Sequence, residues 1–550
     1  MFHSKHKANA ILLLIIFFSL VLRFWNLGGY PNSLYTDEIN QGYNAYSILT
    51  TGKDEHGILL PISLRSFGDW KPPLSTYLMI PFIYILGLNE LSVRLPSSIL
   101  GVGTILLTFY LIRELFREKK EAAFIALLGS FFLAISPWHI LQSRSSMLVM
   151  VGLFFLEAGI YLFIRAIGNK KFLYLSFLLL SLSIYAYYGL RVISPLIFFT
   201  LLYQWRKHIR LILKELVIGS LLGFIILVPI IFIYWQQPDV FLGRVKTISI
   251  FYDRGVKLRQ WELISQDGMT YPPLLSRFFH NNVYRYGRDI MQRYLSHFDA
   301  YFLFFTGDKT APFQIPNMGI LYIADAVFIL LGIIMLYKNK YKNKNLIVIW
   351  LAVSVIPASL TFITPSSNRS FTAVVPFIIF VSIGLIHFIK KTCRKPISIM
   401  LISFLYAISL GYFLYQYFII LPRNHAEWWS YQWSALGKYL SKIDNNFENI
   451  VIFNNYNMSY IYFLFFTRYD AAKYQKEAVR TYVADQYGFE HVESFGKYIF
   501  YNDLRWQDMK NHLESDTLYI VPVSDVDADM NFRKEILYPD GKIAFKIFYL

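Results

Sequence analysis

Residues 34–73 read LYTDEINQGYNAYSILTTGKDEHGILLPISLRSFGDWKPP. An apolar run, ANAILLLIIFFSLVL at 8–22, precedes them, and hydrophobic segments separated by basic clusters follow for most of the chain. Asp37, Glu38, Lys53, Asp54, Glu55, His56, Arg65, Asp69 and Lys71 all stand in this one stretch. Crossing a bilayer requires none of that charge. A chain this apolar, with carboxylates and cations gathered beside its first span, is expected to handle a polar or phosphorylated substrate at that face.

The 550 residues are 55% hydrophobic and 16% charged, where a soluble chain carries about 25% charged residues. Several runs approach the roughly 20 residues that cross a bilayer as a helix. Long helical runs, in place of short alternating strands, indicate a polytopic helical protein and exclude a barrel. The net charge of +17 lies largely in short clusters between the runs. Such clusters are a topology signal; they form no basic stripe interleaved with aromatics, so no nucleic-acid partner is expected. The single cysteine, Cys393, excludes an intrachain disulfide, and its basic neighbours Lys390, Lys391, Arg394 and Lys395 suggest the cytoplasmic side. The first apolar run reads as an anchor, not as a cleavable signal. The chain contains no GxxxxGK[ST] loop, no GxGxxG after a strand and no HExxH. An activated substrate must therefore come from elsewhere.

Read in order, Lys5 and Lys7 keep the amino terminus in the cytoplasm, and the loop 26–94 emerges outside. Leu74–Leu88 is apolar but short, and reads as a helix near the interface. Basic clusters at 117–120, 165–171, 206–210, 338–344 and 390–395 then mark alternate turns. The expectation is an all-α bundle of about eleven spans, with about ten to thirteen admitted. It occupies 1–422 and includes a catalytic outer loop, 26–94, and a long outer loop, 235–317. From 423 to 550 the material changes. Strand-like NIVIFNN, TLYIVPVSD and KIAFKIFYL alternate with helix-like SYQWSALGKYLSKI and DAAKYQKEAVRTYVAD, which predicts a small extracytoplasmic α/β domain. SYIYFLFF at 459–466 is too short to span and reads as a buried helix.

Asp37 and Glu38 follow the first span directly. Neighbours on a helix point in different directions, so one carboxylate can serve chemistry while the other holds structure. A partly buried carboxylate can act as a general base; the alternative is an ordinary acidic flank. Lys71 precedes two prolines that stiffen the backbone, and a lysine fixed there is a point charge for phosphate. Arg65 could add a second donor; the alternative for both is pairing with Asp69 or lipid headgroups. Arg144, Arg191 and Arg369 fall at outer ends or turns, against the inside preference of basic residues, and suggest phosphate contacts or structural ion pairs. Asp54, Glu55, His56 and Asp69 could hold sugar hydroxyls. A divalent metal at 54–56 is admitted, though the spacing fits no fixed ligand template, and no other cofactor is predicted.

SLYTDEINQGYNAYSILTTGKDEHG, FGDWKPPL and LSVRLPSSILG resemble the bacterial integral-membrane glycosyltransferases with the C-type fold, the family 39-like group of protein O-mannosyltransferases and lipid A aminoarabinose transferases. SPWHILQSR, YYGLRVISP, FFTGDKTAP followed by MGILY, and PSSNRS extend the resemblance over residues 8–420. It implies a multi-pass protein of the bacterial plasma membrane. A polyprenyl-phosphate sugar would be the donor, and the sugar would pass outside the cytoplasm to the hydroxyl of a glycan, lipid or protein acceptor. Asp37 falls on the catalytic base, Glu38 on a loop-orienting acid and Lys71 on a donor-phosphate contact. Arg144 is a looser match to a functional basic residue. The mannosyltransferases' further acid is absent where this chain reads QSRSSM, and no MIR domain is found. Direct displacement would invert the anomeric centre without a second nucleophilic carboxylate. The competing readings are a transporter or flippase of a lipid-linked anion, which would favour broken or charged helices at mid-membrane, and an assembly protein whose tail is a binding module.

Overall fold

A computed structural model describes residues 5–549 apart from 253, 269–271, 393–395, 454–457, 483–488, 502–505 and 527–531; Cys393 lies outside the described residues. The chain opens with helix α1 (Lys5–Phe24) and helix α2 (Thr36–Thr51). A hairpin of β1 (Leu64–Ser66) and β2 (Asp69–Lys71) comes next, then helices α3 (Leu74–Leu86) and α4 (Glu90–Leu115). The contacts divide the chain into two compact units, one of 1–22, 100–142 and 148–413, the other of 23–99, 143–147 and 414–550.

The first unit is helical. Two of its helices, Ile323–Lys338 and Val374–Thr392, approach closely through glycine. A Cβ at Gly332 would lie 2.0 Å from the Phe380 carbonyl, and one at Gly384 would lie 2.0 Å from that of Phe328, the small-residue packing of membrane helices.

The expected count of about eleven spans is overturned. Among the described residues six helices are long and apolar enough to cross a membrane: His6–Phe24, Glu90–Leu115, Leu148–Arg165, Ile209–Gln236, Phe371–Lys391 and Pro396–Asn424. Ala122–Ile135 and Pro137–Arg144, bent by 58° at Ser136, make seven if taken as one broken span. Other apolar runs fold into shorter helices: Leu74–Leu86, Phe172–Ala186, Leu190–Gln204 and Lys344–Ser359. At 1.5 Å per residue none of these exceeds about 24 Å, against a hydrocarbon core of about 30 Å. Hydropathy registers apolar runs and does not see where each helix stops. The stretch 235–317, expected as a loop, contains the helices Pro238–Ile248, Arg254–Asp267, Pro273–Phe279 and Asn282–Ser296.

The second unit joins the opening polar stretch to the tail. Its seven-stranded sheet comprises β3 (Asn449–Phe453), β4 (Val479–Thr481), β5 (His491–Phe495), β6 (Tyr498–Tyr501), β7 (Thr517–Pro522), β8 (Lys534–Leu537) and β9 (Ile543–Phe548), in the order β4-β5-β6-β3-β7-β9-β8. The central strand β3 runs parallel to β6 and β7, and the outer pairs are antiparallel. Both faces of β3 are buried, as its continuous NIVIF implies. Ile450 and Ile452 join one core, Val451 and Phe453 the other. The first core takes Trp433, Leu436 and Leu440 from one face of helix Tyr431–Ile443. It also takes Ile39 and Tyr43 of α2, Phe67 of the hairpin, Met79 of α3 and Val93 of α4. SYIYFLFF supplies a buried helix, Tyr460–Phe466, to that core, as its length requires.

Candidate active site

Helix α2 is specified by its own ends. Asp37 and Glu38 sit in the first turn, where carboxylates favour the helix dipole. Glu38, third in the helix, accepts the Tyr35 backbone N–H at 2.9 Å, one half of a capping box. Gly52 ends the helix in the left-handed region, φ +71°, and its N–H reaches the Ile48 carbonyl. The hairpin turns through Phe67 and Gly68, both with positive φ, as a two-residue turn between twisted strands requires. It delivers Lys71 to the end of β2.

The two carboxylates diverge. Glu38 is fully buried and surrounded by donors. Ser146 N–H lies 2.8 Å from its Oε1 and Arg94 Nε lies 3.2 Å from the same atom. Arg94, equally buried, also donates to the carbonyls of Leu27 (3.2 Å), Pro31 (2.7 Å) and Ser33. Glu38 therefore binds the turn 27–33, α4 and residues 143–147 to the start of α2. The Asp37 side chain is 45% exposed, and its Oδ1 meets Lys71 Nζ at 2.5 Å. Lys71 is buried to 8% exposure, with its ammonium 5.0 Å from the Phe67 ring centre. A half-open carboxylate thus faces a cation set on a rigid Lys-Pro-Pro corner.

The other predicted residues take separate places. Arg144 is buried; it donates to the Trp25 and Tyr30 carbonyls at 3.0 Å and lies over the Tyr417 and Phe418 rings. Arg65 on β1 pairs with Glu490 and stacks on Tyr482. Asp69 accepts the Trp70 N–H at 2.8 Å. Asp54 accepts the N–H groups of His56 and Ile58 at 3.0 and 2.9 Å; burial pushes its carboxyl up to about 6 against those two bonds. Glu55 is fully buried, and burial raises its carboxyl too. His56 is pushed well below the usual imidazole range by burial and then by Arg480 and Arg65. Neither of its ring nitrogens has a hydrogen-bond partner among the described residues. Among the described residues no three His, Cys, Asp or Glu side chains come together as a metal-binding group.

Arg191 and Arg369 belong to the first unit. Arg191 lies over Tyr188 and Tyr234 at 4.8 and 5.2 Å, and Arg369 donates to Thr361 Oγ1 at 2.7 Å and the Ile363 carbonyl at 3.0 Å. Arg244 also lies over Tyr188, at 6.0 Å, and within electrostatic reach of Arg369. Sequence reasoning missed Arg244 because it stands in the stretch read as a loop. The missed residue in the second unit is Arg94, whose place in the apolar run LSVRLPSSILG carries no sign of its partner.

The model of the family described as dolichyl-phosphate-mannose-protein mannosyltransferase matches residues 70–235. YkcB of Bacillus subtilis (strain 168), a protein provisionally named a mannosyltransferase, is 27% identical over 175 residues, 31% of this chain. That stretch spans only 23% of YkcB's own length. The oligosaccharyltransferase of Archaeoglobus fulgidus, solved with Zn and sulfate, superimposes over 83% of this chain and 61% of its own, with a TM-score of 0.50 at 15% identity. ArnT of Cupriavidus metallidurans, bound to undecaprenyl phosphate, aligns over 98% of this chain and 97% of its own, with a TM-score of 0.44 at 10% identity. The oligosaccharyltransferase likeness is one of fold. This chain is a multi-pass membrane protein that shares the fold of that oligosaccharyltransferase, and its residues 70–235 match the mannosyltransferase family model.

Proposed function

We propose that the chain transfers a sugar from a polyprenyl-phosphate donor to an acceptor hydroxyl at the extracytoplasmic membrane face, by one inverting displacement. The observation that carries this reading is the contact between half-open Asp37 and Lys71. Asp37 takes the acceptor's proton as its oxygen attacks the anomeric carbon. Lys71 holds the phosphate that leaves with the lipid, where a fixed positive charge stabilises the charge that develops. Glu38, closed in by donors, orients the turn. The family model, named for a dolichyl-phosphate-mannose donor, supports the donor class, and its match includes Lys71. Arg191 and Arg369, joined by Arg244, form an arginine group in the first unit suited to an anion. The acceptor is a glycan, lipid or protein bearing a hydroxyl.

The orientation follows from the same parts. Asp37 comes after the first span, and the tail shares its hydrophobic core, so both lie on one side. An even number of crossings must then separate them. Counting the bent pair as a span gives six after the first. With the amino terminus in the cytoplasm, the site and the tail lie outside; labelling of a cysteine introduced near residue 540, in a Cys393→Ser background in intact cells, tests this, and a cytoplasmic tail refutes it. The function is tested by offering the purified protein polyprenyl-phosphate sugars and measuring sugar transfer and release of polyprenyl phosphate. Failure with every donor, or near-native release by Asp37→Asn, would overturn the reading.

A further inference from the structure

On α2, Asp37, Asn40, Asn44, Ser47 and Thr51 recur at intervals of three and four, so they line one face. The turn after the helix folds back along that face. Glu55 Oε1 accepts from Asn40 Nδ2 at 2.7 Å and Asn44 Nδ2 at 3.1 Å, while Asn44 Oδ1 accepts the Glu55 N–H at 3.0 Å. Ser47 Oγ donates to the Lys53 carbonyl at 2.7 Å. Each contact ties the helix to the turn 53–58.

The tail closes over this strap. Tyr460 Oη donates to Glu55 Oε2 at 3.1 Å, and Arg480 donates to the Glu55 carbonyl at 2.7 Å. Gln475 Nε2 reaches Ser47 Oγ and Thr51 Oγ1 at 3.1 Å and the Asp54 carbonyl at 2.9 Å. The Tyr460 ring also packs against Phe67, 5.8 Å between centres, and Phe67 lies under the Lys71 ammonium. Residues 460–480 therefore touch both the helix that bears Asp37 and the ring on which Lys71 rests. Glu55 is the point where helix, turn and tail meet, and it is sealed from solvent.

We infer that Glu55 is a positioning residue and that the tail acts through it as a buckle, fixing Asp37 against Lys71. This rests on the proposed transfer reaction for its activity readout, and on hydrogen exchange for a readout independent of it. A carboxylate that only bridges can be replaced by an amide. The amide introduced by Glu55→Gln would accept from Asn40 and Asn44 through its oxygen and donate to Tyr460 through its nitrogen. A carboxylate that transfers a proton cannot be replaced in this way.

The test compares Glu55→Gln, Glu55→Ala and Tyr460→Phe in the full-length protein. Amide exchange over residues 38–51 and turnover at matched donor occupancy are measured, with polyprenyl phosphate as the binding probe. Glu55→Ala is expected to speed exchange by about tenfold or more and to lower turnover by roughly 10–100-fold, the scale of a misplaced catalytic group. Tyr460→Phe should move both in the same direction by less. Glu55→Gln should stay near wild type in both, and affinity for polyprenyl phosphate should hold within about twofold throughout. Loss of turnover in Glu55→Gln without a change in exchange would assign Glu55 to the chemistry and overturn the inference. Unchanged exchange in both Glu55→Ala and Tyr460→Phe would also overturn it, because the tail would then not hold α2. If the wild type transfers no sugar, the proposed reaction fails and exchange alone decides the buckle; if Glu55→Ala does not fold, Tyr460→Phe and Glu55→Gln decide it.

Discussion

The first turn of α2 has an open side and a closed side. On the open side Asp37 faces Lys71 with nearly half its side chain exposed. On the closed side Glu38 is buried beneath Arg94 and two backbone N–H groups. The residues are adjacent and of one chemical type, yet their surroundings give them opposite work. A carboxylate saturated with donors is a fastener, and one that faces both an ammonium and solvent can take a proton. A DE pair at a helix start can thus supply both in consecutive positions.

The strongest way to break this comparison is to exchange the two sides by mutation. Asp37→Asn should lower single-turnover transfer by roughly 10²–10⁴-fold, the scale of a general base, with the melting temperature almost unchanged. Arg94→Ala should do the reverse. It strands Glu38 as a buried charge, which costs about 3–5 kcal/mol of stability, measured by thermal unfolding in detergent. If Asp37→Asn instead destabilises the fold and Glu38→Gln abolishes transfer, the assignment of the two sides is inverted.

Smaller effects sharpen the picture. Lys71→Ala should weaken polyprenyl-phosphate binding by roughly 10–100-fold, the value of one charge-assisted contact at about 1.5–3 kcal/mol. Asp37→Asn should bind it somewhat more tightly, since the competitor for the ammonium is gone. Equilibrium binding to the purified variants checks both. The smallest effect concerns Asp54. Its carboxyl is held up to about 6 in the fold, above the ordinary 3.8, so the folded state binds its proton more tightly than the unfolded state. Its contribution is full below about pH 4 and is lost as pH rises through about 6, by no more than about 3 kcal/mol. A melting-temperature series over that range should show a decline that Asp54→Asn flattens.

Of the residues singled out in the sequence, Asp37 and Lys71 come together, Arg65, Arg144, Arg191 and Arg369 take other partners, and less of the fold around them was legible. TDE after a span and a lysine locked by two prolines are local signals, and Asp37 and Lys71 meet as a pair. That Asp37 and Glu38 would diverge could be argued from helix geometry, but not the partner that closes Glu38, because Arg94 lies 56 residues away in an apolar run. The role of Glu55 was hidden for the same reason: Asn40 and Asn44 are near in sequence, but Tyr460, Gln475 and Arg480 are not. The span count failed on a different point. Phe172–Ala186 and Leu190–Gln204 are apolar throughout, and only the break at Tyr187–Gly189 shows that each is too short to cross. The parallel central strand of the tail is written in its unbroken apolar residues, whereas its neighbours in the sheet are set by pairing between distant segments.

The buckle also carries a schedule. Tyr43 of α2 donates to the Tyr469 carbonyl, 426 residues further along the chain. At a synthesis rate of about 5–20 residues per second, roughly 20–85 s separate the emergence of the two. Throughout that interval the helix bearing Asp37 has been made but its fastening has not, while span after span is inserted behind it. The fastening of α2 is therefore among the last events in the making of the protein, and a chain truncated before residue 460 would leave a membrane bundle in which the helix bearing Asp37 was never secured.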